Sequence, residues 1–281
     1  MGSAAAVADG MLPFGFGTQT AASVIRPAAY CGVVGYKASW GSFDLQGICG
    51  LAPSLDTLGF ICRDIEDIAL MRSVLCGDRS DIEFRKANDG PRIGFVKTPH
   101  WSDADESTQA LLMRTAEDLS DHTLVEEAEL PAKFDDLADC HNSIMAFETA
   151  RSRAYEAGFH AEDLSPQFRQ LVSTGQSISF DKYRQLKRHV ADAMVNLKVL
   201  FDRYDVLLTP SAPGEAPAGL DATGDPIFSR MWSLLKVPSL TLPAGRGIAG
   251  LPLGIQLIGC MDDDNALLRD ARWIQAALDL K

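Results

Sequence analysis

The feature that most constrains the fold is a long apolar stripe followed directly by an apolar strand. Over residues 183–201 apolar side chains recur at intervals of three and four: Tyr183, Leu186, Val190, Met194, Leu197 and Phe201. This spacing predicts one amphipathic helix whose stripe packs on a core. The run from Asp205 to Thr209 follows and predicts a buried strand. A helix leading into a buried strand indicates layers of helix on sheet.

Further strands and helices alternate along the chain. Strands are predicted at residues 92–97, 123–127, 239–242 and 253–258. Helices are predicted from Ser107 to Leu119, and near the end of the chain on the apolar face Leu267, Ala271, Ile274 and Leu278. Asp64 is the expected N-cap of another helix, with the apolar face Ile65, Ile68, Ala69 and Leu75. Residues 77–91 are interpreted as a connector. Strands that alternate with helices along the chain predict an α/β fold.

Composition limits the classes of partner. Of the 281 residues, 46% are hydrophobic, and we interpret residues 1–281 as a single domain. The charge balance is 26 − 38 = −12, which argues against direct binding of nucleic acid and against an anionic membrane surface. The chain has no apolar run long enough to span a membrane and no recognisable leader, so we expect a cytoplasmic protein. The six scattered cysteines are expected to be reduced and mostly buried.

Several catalytic classes lack their motifs. No G-x-S-x-G occurs, and the five histidines lie in the charged middle of the chain, where surface or core roles are expected. Without C-x-x-C or H-E-x-x-H, the sequence predicts no metal site and no cofactor.

Residues 1–62 carry few charges and many small side chains, which suits tightly packed loops around a site built from backbone. We predict a strand from Met11 to Phe16, a loop from Gly17 to Ser23, and a helix from Val24 to Tyr30. The N–H groups of the end of that loop would then face a helix N-terminus, where developing negative charge can bind. A tight structural turn is the alternative interpretation.

Seven segments carry a family resemblance: GSAAAVADGM, GTQTAAS, VIRPAAYCGVVGYK, LAPSLDTLGF, TPSAPG, GDPIFSRMWSLLKVPSLTLPAG and GLPLGIQLIG. They closely resemble the amidase signature family, which implies a mixed β-sheet covered by helices on both faces. The resemblance implies an amidase that cleaves the carbon–nitrogen bond of a small-molecule amide and releases ammonia through an acyl-enzyme. It assigns Ser23 as the nucleophile and Thr20, Ala21 and Ala22 to the oxyanion hole. Arg26 resembles the arginine that binds a substrate carboxylate in the malonamidase-like branch, with an ion-paired structural arginine as the alternative.

The sequence departs from the family pattern in two places. Ala21 and Ala22 replace two glycines, which would strain the loop if either position required a positive φ. The family's lysine base and relay serine match residues that would precede Met1, while Ser3 is in the wrong register and Lys37 matches a position where we expect a structural ion pair. We therefore expect a fold that is missing its amino-terminal segment and an impaired enzyme.

Two alternatives to an impaired enzyme stay open. The chain could be a catalytically dead fragment, or a component resembling the A subunit of the tRNA-dependent amidotransferase. Apolar surface left uncovered would favour a homo-oligomer or the docking of the missing segment.

Overall fold

A computed structural model describes residues 1–77, 82, 84–86 and 88–280, and within them eight strands form one mixed sheet. The strands are β1 (Phe14–Gln19), β2 (Val34–Lys37), β3 (Thr57–Cys62), β4 (Ile93–Phe95), β5 (Val125–Glu127), β6 (Val206–Pro210), β7 (Ser239–Arg246) and β8 (Pro252–Ile258). Their order across the sheet is β1-β3-β2-β7-β8-β6-β4-β5. Neighbouring strands in the part β1-β3-β2-β7-β8-β6 pair antiparallel. Strand β4 pairs parallel with both β6 and β5.

Helices connect these strands. They are α1 (Gly2–Ala8), α2 (Ile25–Cys31), α3 (Ile65–Cys76), α4 (Glu106–Ser120), α5 (Leu137–Ser152), α6 (Ala154–Phe159), α7 (Pro166–Ser177), α8 (Phe180–Arg203), α9 (Ile227–Leu234) and α10 (Asp264–Ala277). None of the helices in the described ranges combines the length and the apolar character needed to cross a membrane.

The sheet has an apolar layer on each side because successive side chains of a strand face opposite ways. Leu240 and Leu208 join one core with residues of α3, α4 and α10. Leu207 and Ile258 join a second core with residues of α5, α8 and α9. Val24 and Ala28 pack with α1 and Ile61 in a smaller cluster. The predicted fold class, an α/β protein with helices on both faces of a mixed sheet, is therefore confirmed.

The predictions based on helical periodicity hold best. Residues 183–201 lie within the 24-residue α8, which buries Leu186, Val190 and Leu197. The Asp64 side chain caps α3 by accepting from Asp67 N at 2.8 Å. Leu75 does not face the core as predicted, because Val74, Leu75 and Cys76 at the end of α3 are exposed.

The predicted loops around residues 1–62 are more regular than expected. Helix α1 was not predicted, and β1 runs three residues further along the chain than the predicted strand from Met11 to Phe16. Pairing with β3 sets this register, with Phe14 opposite Cys62 and Gln19 opposite Thr57. The N–H groups of Met11 and Leu12 instead donate to Ala6 O at the end of α1.

The cysteine prediction is wrong in part. All six thiols are free, but only Cys62 and Cys140 are buried, while Cys49 and Cys76 are exposed. The predicted connector over residues 77–91 falls partly on residues 78–81, 83 and 87, which lie outside the described residues.

Candidate functional site

Ser23 lies in the five-residue connection between β1 and α2, and its side chain is exposed. The loop that contains Ser23 does not start at Gly17 as predicted, because residues 17–19 belong to β1 and pair with β3. Helix α2 begins at Ile25, close to the prediction, with Pro27 in its first turn. The short connection therefore fixes Ser23 at the end of a strand that is paired along its whole length.

The connection leaves a row of free donors. Among the described residues, no acceptor bonds to the N–H groups of Thr20, Ala21, Ala22 or Ser23. Neither alanine has a positive φ, so the two replacements for glycine carry no strain of that kind. Free N–H groups beside an exposed hydroxyl can donate hydrogen bonds to a carbonyl oxygen that becomes negatively charged when the hydroxyl attacks its carbon.

Gln19 closes this loop through its side chain. Its Oε1 atom accepts from Val24 N at 2.9 Å and from Ile25 N at 3.0 Å, so the first N–H groups of α2 are already bonded. Its Nε2 atom donates to Ser233 Oγ at 3.1 Å, and Ser233 Oγ donates to Ala21 O at 2.8 Å. The free donors are therefore those of the loop and not those of the helix terminus.

Thr20 is fixed by two further side chains. Its hydroxyl donates to Asp56 Oδ1 at 2.5 Å, and Asp56 Oδ2 also accepts from Ala52 N at 2.9 Å. Its carbonyl lies 2.9 Å from Nε2 of His141, which is fully buried on α5. Burial lowers the pKa of His141 to about 4, against smaller opposing effects such as its bond to Thr20. His141 is therefore neutral at pH 7 and donates from Nε2 to the Thr20 carbonyl.

Ser3 and Lys37 do not bond to the Ser23 hydroxyl. Ser3 Oγ donates to Phe16 O at 3.0 Å. Lys37 is fully buried and donates to Ala38 O at 2.8 Å. Burial lowers the pKa of Lys37 to about 7. The expected structural ion pair is not formed, because no carboxylate of the described residues lies within 4.0 Å of Lys37 Nζ.

Arg26 is the second residue of α2 and is 9% exposed. It donates from Nη1 to Gly224 O at 2.6 Å and from Nη2 to Thr223 Oγ1 at 3.1 Å. Its Nε atom is buried without a partner among the described residues. Two of the five N–H groups are therefore used, and the guanidinium makes no ion pair within 4.0 Å in that part of the chain.

One group away from Ser23 has the donors of a metal site. Ligand atoms of Asp136, Cys140 and His189 lie within 4.8 Å of one another. His189 Nε2 and Asp136 Oδ1 lie 2.7 Å apart and bond directly to each other, so the closeness of these two side chains needs no metal ion.

Sequence reasoning missed the side chains that hold the loop: Gln19, Asp56, His141 and Ser233. Gln19 and Asp56 stand inside the quoted motifs and could have been noticed there. Ser233 also stands inside a quoted segment, GDPIFSRMWSLLKVPSLTLPAG. His141 lies more than 100 residues from the loop and outside the quoted segments, and no local pattern marks it. His141 has the core role that was expected of the histidines, and its bond to the Thr20 carbonyl was not predicted.

Comparison with known proteins places this geometry in context. The profile of the family described as Amidase matches residues 1–268. The A subunit of glutamyl-tRNA(Gln) amidotransferase from Desulforudis audaxviator is 28% identical over 328 aligned positions, covering 99% of this chain and 65% of that protein. The corresponding protein of Staphylococcus haemolyticus is 28% identical, with 99% and 66% covered. The chain thus spans about two thirds of the length of the curated relatives it matches.

Solved structures agree in fold. A crystal structure of an amidase is 27% identical, has a TM-score of 0.88, and is matched over 98% of this chain and 65% of that one. The structure of the glutamyl-tRNA(Gln) amidotransferase A subunit from Thermotoga maritima is 25% identical, with a TM-score of 0.79 and 98% and 64% covered.

Proposed function

Since the chain belongs to the amidase family, we propose that it is a hydrolase that cleaves the amide bond of a small substrate through Ser23. The observation that supports this most is the exposed Ser23 hydroxyl at the end of a loop with four free N–H groups. A serine needs such donors because its attack creates an oxyanion that water can stabilise only at the cost of reorganisation. Thr20, Ala21, Ala22 and Ser23 would supply them.

In the proposed reaction, Ser23 Oγ attacks the amide carbon and its proton passes to a base. The carbonyl oxygen becomes an anion held by the loop N–H groups. Collapse of this intermediate breaks the carbon–nitrogen bond, the base returns the proton to the leaving nitrogen, and ammonia departs. Water then cleaves the ester on Ser23 by the same steps.

The proposed reaction needs a general base that takes the proton of Ser23 Oγ. No described side chain bonds to Ser23 Oγ. His141 is unsuitable because it is buried, neutral and already donating to Thr20. The family resemblance assigns the base to a lysine acting through a relay serine, neither of which is matched within the 281 residues. We therefore expect the 281-residue chain to turn over amides slowly, because the loss of a general base removes orders of magnitude in rate.

The test supplies a base from outside. The chain is incubated with 4-nitrophenyl acetate, whose leaving group needs no protonation, together with a tertiary amine as external base. Mass spectrometry of the digested protein then locates the acetyl group. We expect acetylation of the peptide with Ser23 to rise with the concentration of free amine and to be absent in Ser23→Ala.

Two controls make the result decisive. Ser102→Ala removes another exposed serine and should leave the labelling unchanged. Unfolding the chain in urea should abolish the preference for Ser23, since the preference depends on the folded loop. Acetyl groups spread over lysines with none on Ser23 would refute the proposal.

Arg26 enters the proposal as a substrate contact. It follows Ser23 by three residues, and its three unused N–H groups could bind a carboxylate of the substrate. Action together with partner subunits is a second candidate, favoured by the name of the curated relatives. If Ser23 is acetylated in the isolated chain, an external base can activate the nucleophile without a partner subunit.

A further inference from the structure

Two carbonyl groups of the loop before Ser23 accept hydrogen bonds from side chains of distant helices. His141 on α5 donates from Nε2 to Thr20 O at 2.9 Å. Ser233 on α9 donates from Oγ to Ala21 O at 2.8 Å. Both donors are buried, with His141 0% and Ser233 1% exposed. The interior of the protein therefore determines where these two carbonyls point.

These two bonds also set the direction of the next two N–H groups. Each peptide bond of the described residues is trans, and in a trans peptide the C=O and N–H bonds point in opposite directions. The Thr20 carbonyl points towards His141, so the N–H of Ala21 points away from it. The Ala21 carbonyl points towards Ser233, so the N–H of Ala22 points away from that side chain. Both N–H groups lack an acceptor among the described residues.

The helices that carry the two donors are themselves held by the core. Ile144 of α5 and Trp232 of α9 belong to the same apolar cluster, and α5 packs directly on α9. Side chains in such a close-packed interior interdigitate and have little freedom to move. The two donors therefore keep fixed positions relative to each other. Groups that must be aimed to within about 0.5 Å are best placed on rigid elements of this kind.

The loop has no comparable restraint of its own. The Thr20 hydroxyl bonds to Asp56, which anchors the side chain and not the carbonyl. Ala21 and Ala22 have no polar side chain. Half a turn of either peptide plane would direct a carbonyl, in place of an N–H, to the side away from the helices. It would also leave a buried donor of α5 or α9 unpaired, at a cost of about 1–3 kcal/mol.

We propose that His141 and Ser233 are positioning residues for catalysis, each holding one loop carbonyl so that the following N–H points at the oxyanion. The inference rests on the proposed function, because it takes these N–H groups as the oxyanion hole. Neither side chain contacts the substrate, and His141 transfers no proton. Both act by fixing two backbone dipoles before the negative charge forms, so that no reorganisation is needed at the moment of attack.

The experiment uses a Ser23→Cys background, in which attack needs no base from the protein. At about pH 9 much of an ordinary cysteine is thiolate. The thiolate displaces 4-nitrophenolate from 4-nitrophenyl acetate through an oxyanion, whereas it displaces iodide from iodoacetamide without one. Peptic digestion at low pH preserves the thioester, and mass spectrometry gives both rates at position 23 and at the exposed Cys76 of α3.

The ratio of the acetylation rate to the alkylation rate isolates the oxyanion hole, because both reactions consume the same thiolate. At position 23 this ratio should exceed that at Cys76 by at least about tenfold. His141→Leu and Ser233→Ala each remove one donor and should each lower the ratio at position 23 by at least about tenfold. His141→Gln keeps an N–H donor at a similar reach and should retain about half of the ratio or more.

A merely structural role of His141 is tested by a variant that only loses stability. Leu119 is fully buried on α4, in the apolar cluster that contains Leu240 and Leu208. Leu119→Ala should lower the Tm without changing the ratio at position 23. A fall of the ratio in Leu119→Ala as large as that in His141→Leu would overturn the inference. If His141→Leu does not fold, Ser233→Ala decides, since it removes a single hydroxyl.

The remaining outcomes separate this inference from the proposed function. Equal ratios at position 23 and at Cys76 would overturn both the proposed oxyanion hole and the inference. A raised ratio at position 23 that persists in His141→Leu and Ser233→Ala would support the oxyanion hole and overturn the inference alone. An equal fall in His141→Gln and His141→Leu would overturn the role of the hydrogen bond. A fall that His141→Gln largely restores supports the inference, whether or not the chain with Ser23 turns over amides.

Discussion

Gln19→Leu tests whether one buried side chain holds the loop of Ser23 in place. Gln19 is fully buried, and leucine has a similar volume, so the change mainly removes hydrogen bonds. Val24 N and Ile25 N would lose their acceptor, and Ser233 Oγ would lose one donor. Leaving a buried N–H group unpaired costs about 1–3 kcal/mol, so two cost about 2–6 kcal/mol. We therefore expect the Tm to fall by at least about 4 °C.

Calorimetric unfolding measures the total loss, and amide hydrogen exchange locates it. Exchange at Val24 and Ile25 should become faster in Gln19→Leu, while exchange in β6 at the other side of the sheet should follow only the change in global stability. Gln185→Leu, at an exposed position of α8, is the matched control and should change the Tm by no more than about 1 °C. A Tm of Gln19→Leu within that same range, with unchanged exchange at Ile25, would refute the reasoning.

Two buried ionisable residues give the remaining predictions. The pKa of His141 is about 4 in the folded chain and about 6.5 when unfolded, so its contribution is complete above pH 6.5 and is lost as the pH falls towards 4. Urea unfolding of the wild type should show a loss of about 2 kcal/mol from this group between pH 7 and pH 5, and His141→Gln should lack that part of the loss. The pKa of Lys37 is lowered from 10.5 to about 7, so at pH 7 the unfolded chain binds more protons and stability rises with pH. Lys37→Met should be more stable than the wild type by about 1–4 kcal/mol at pH 7, with the difference narrowing by pH 9; a difference that is absent or independent of pH would contradict this.

The sequence by itself determined the elements that depend on neighbouring residues. The apolar stripe of α8 and the Asp64 cap of α3 each depend on residues only a few positions apart, because helix faces and caps are local properties. The apolar runs of β6 and β8 were equally visible. The quoted motifs were sufficient to recognise the family, and they placed Ser23 at the end of its loop.

Only the tertiary structure decided the register of β1 and the surroundings of Ser23. Pairing with β3 selects Phe14–Gln19 over the more apolar run from Met11, because a strand is fixed by its partner as much as by its own residues. His141 and Ser233 lie 118 and 210 positions after Ser23 along the chain, and their side chains bond to its loop from α5 and α9. Contacts over such separations follow from the packing of helices on the sheet, which no local pattern of residue types encodes.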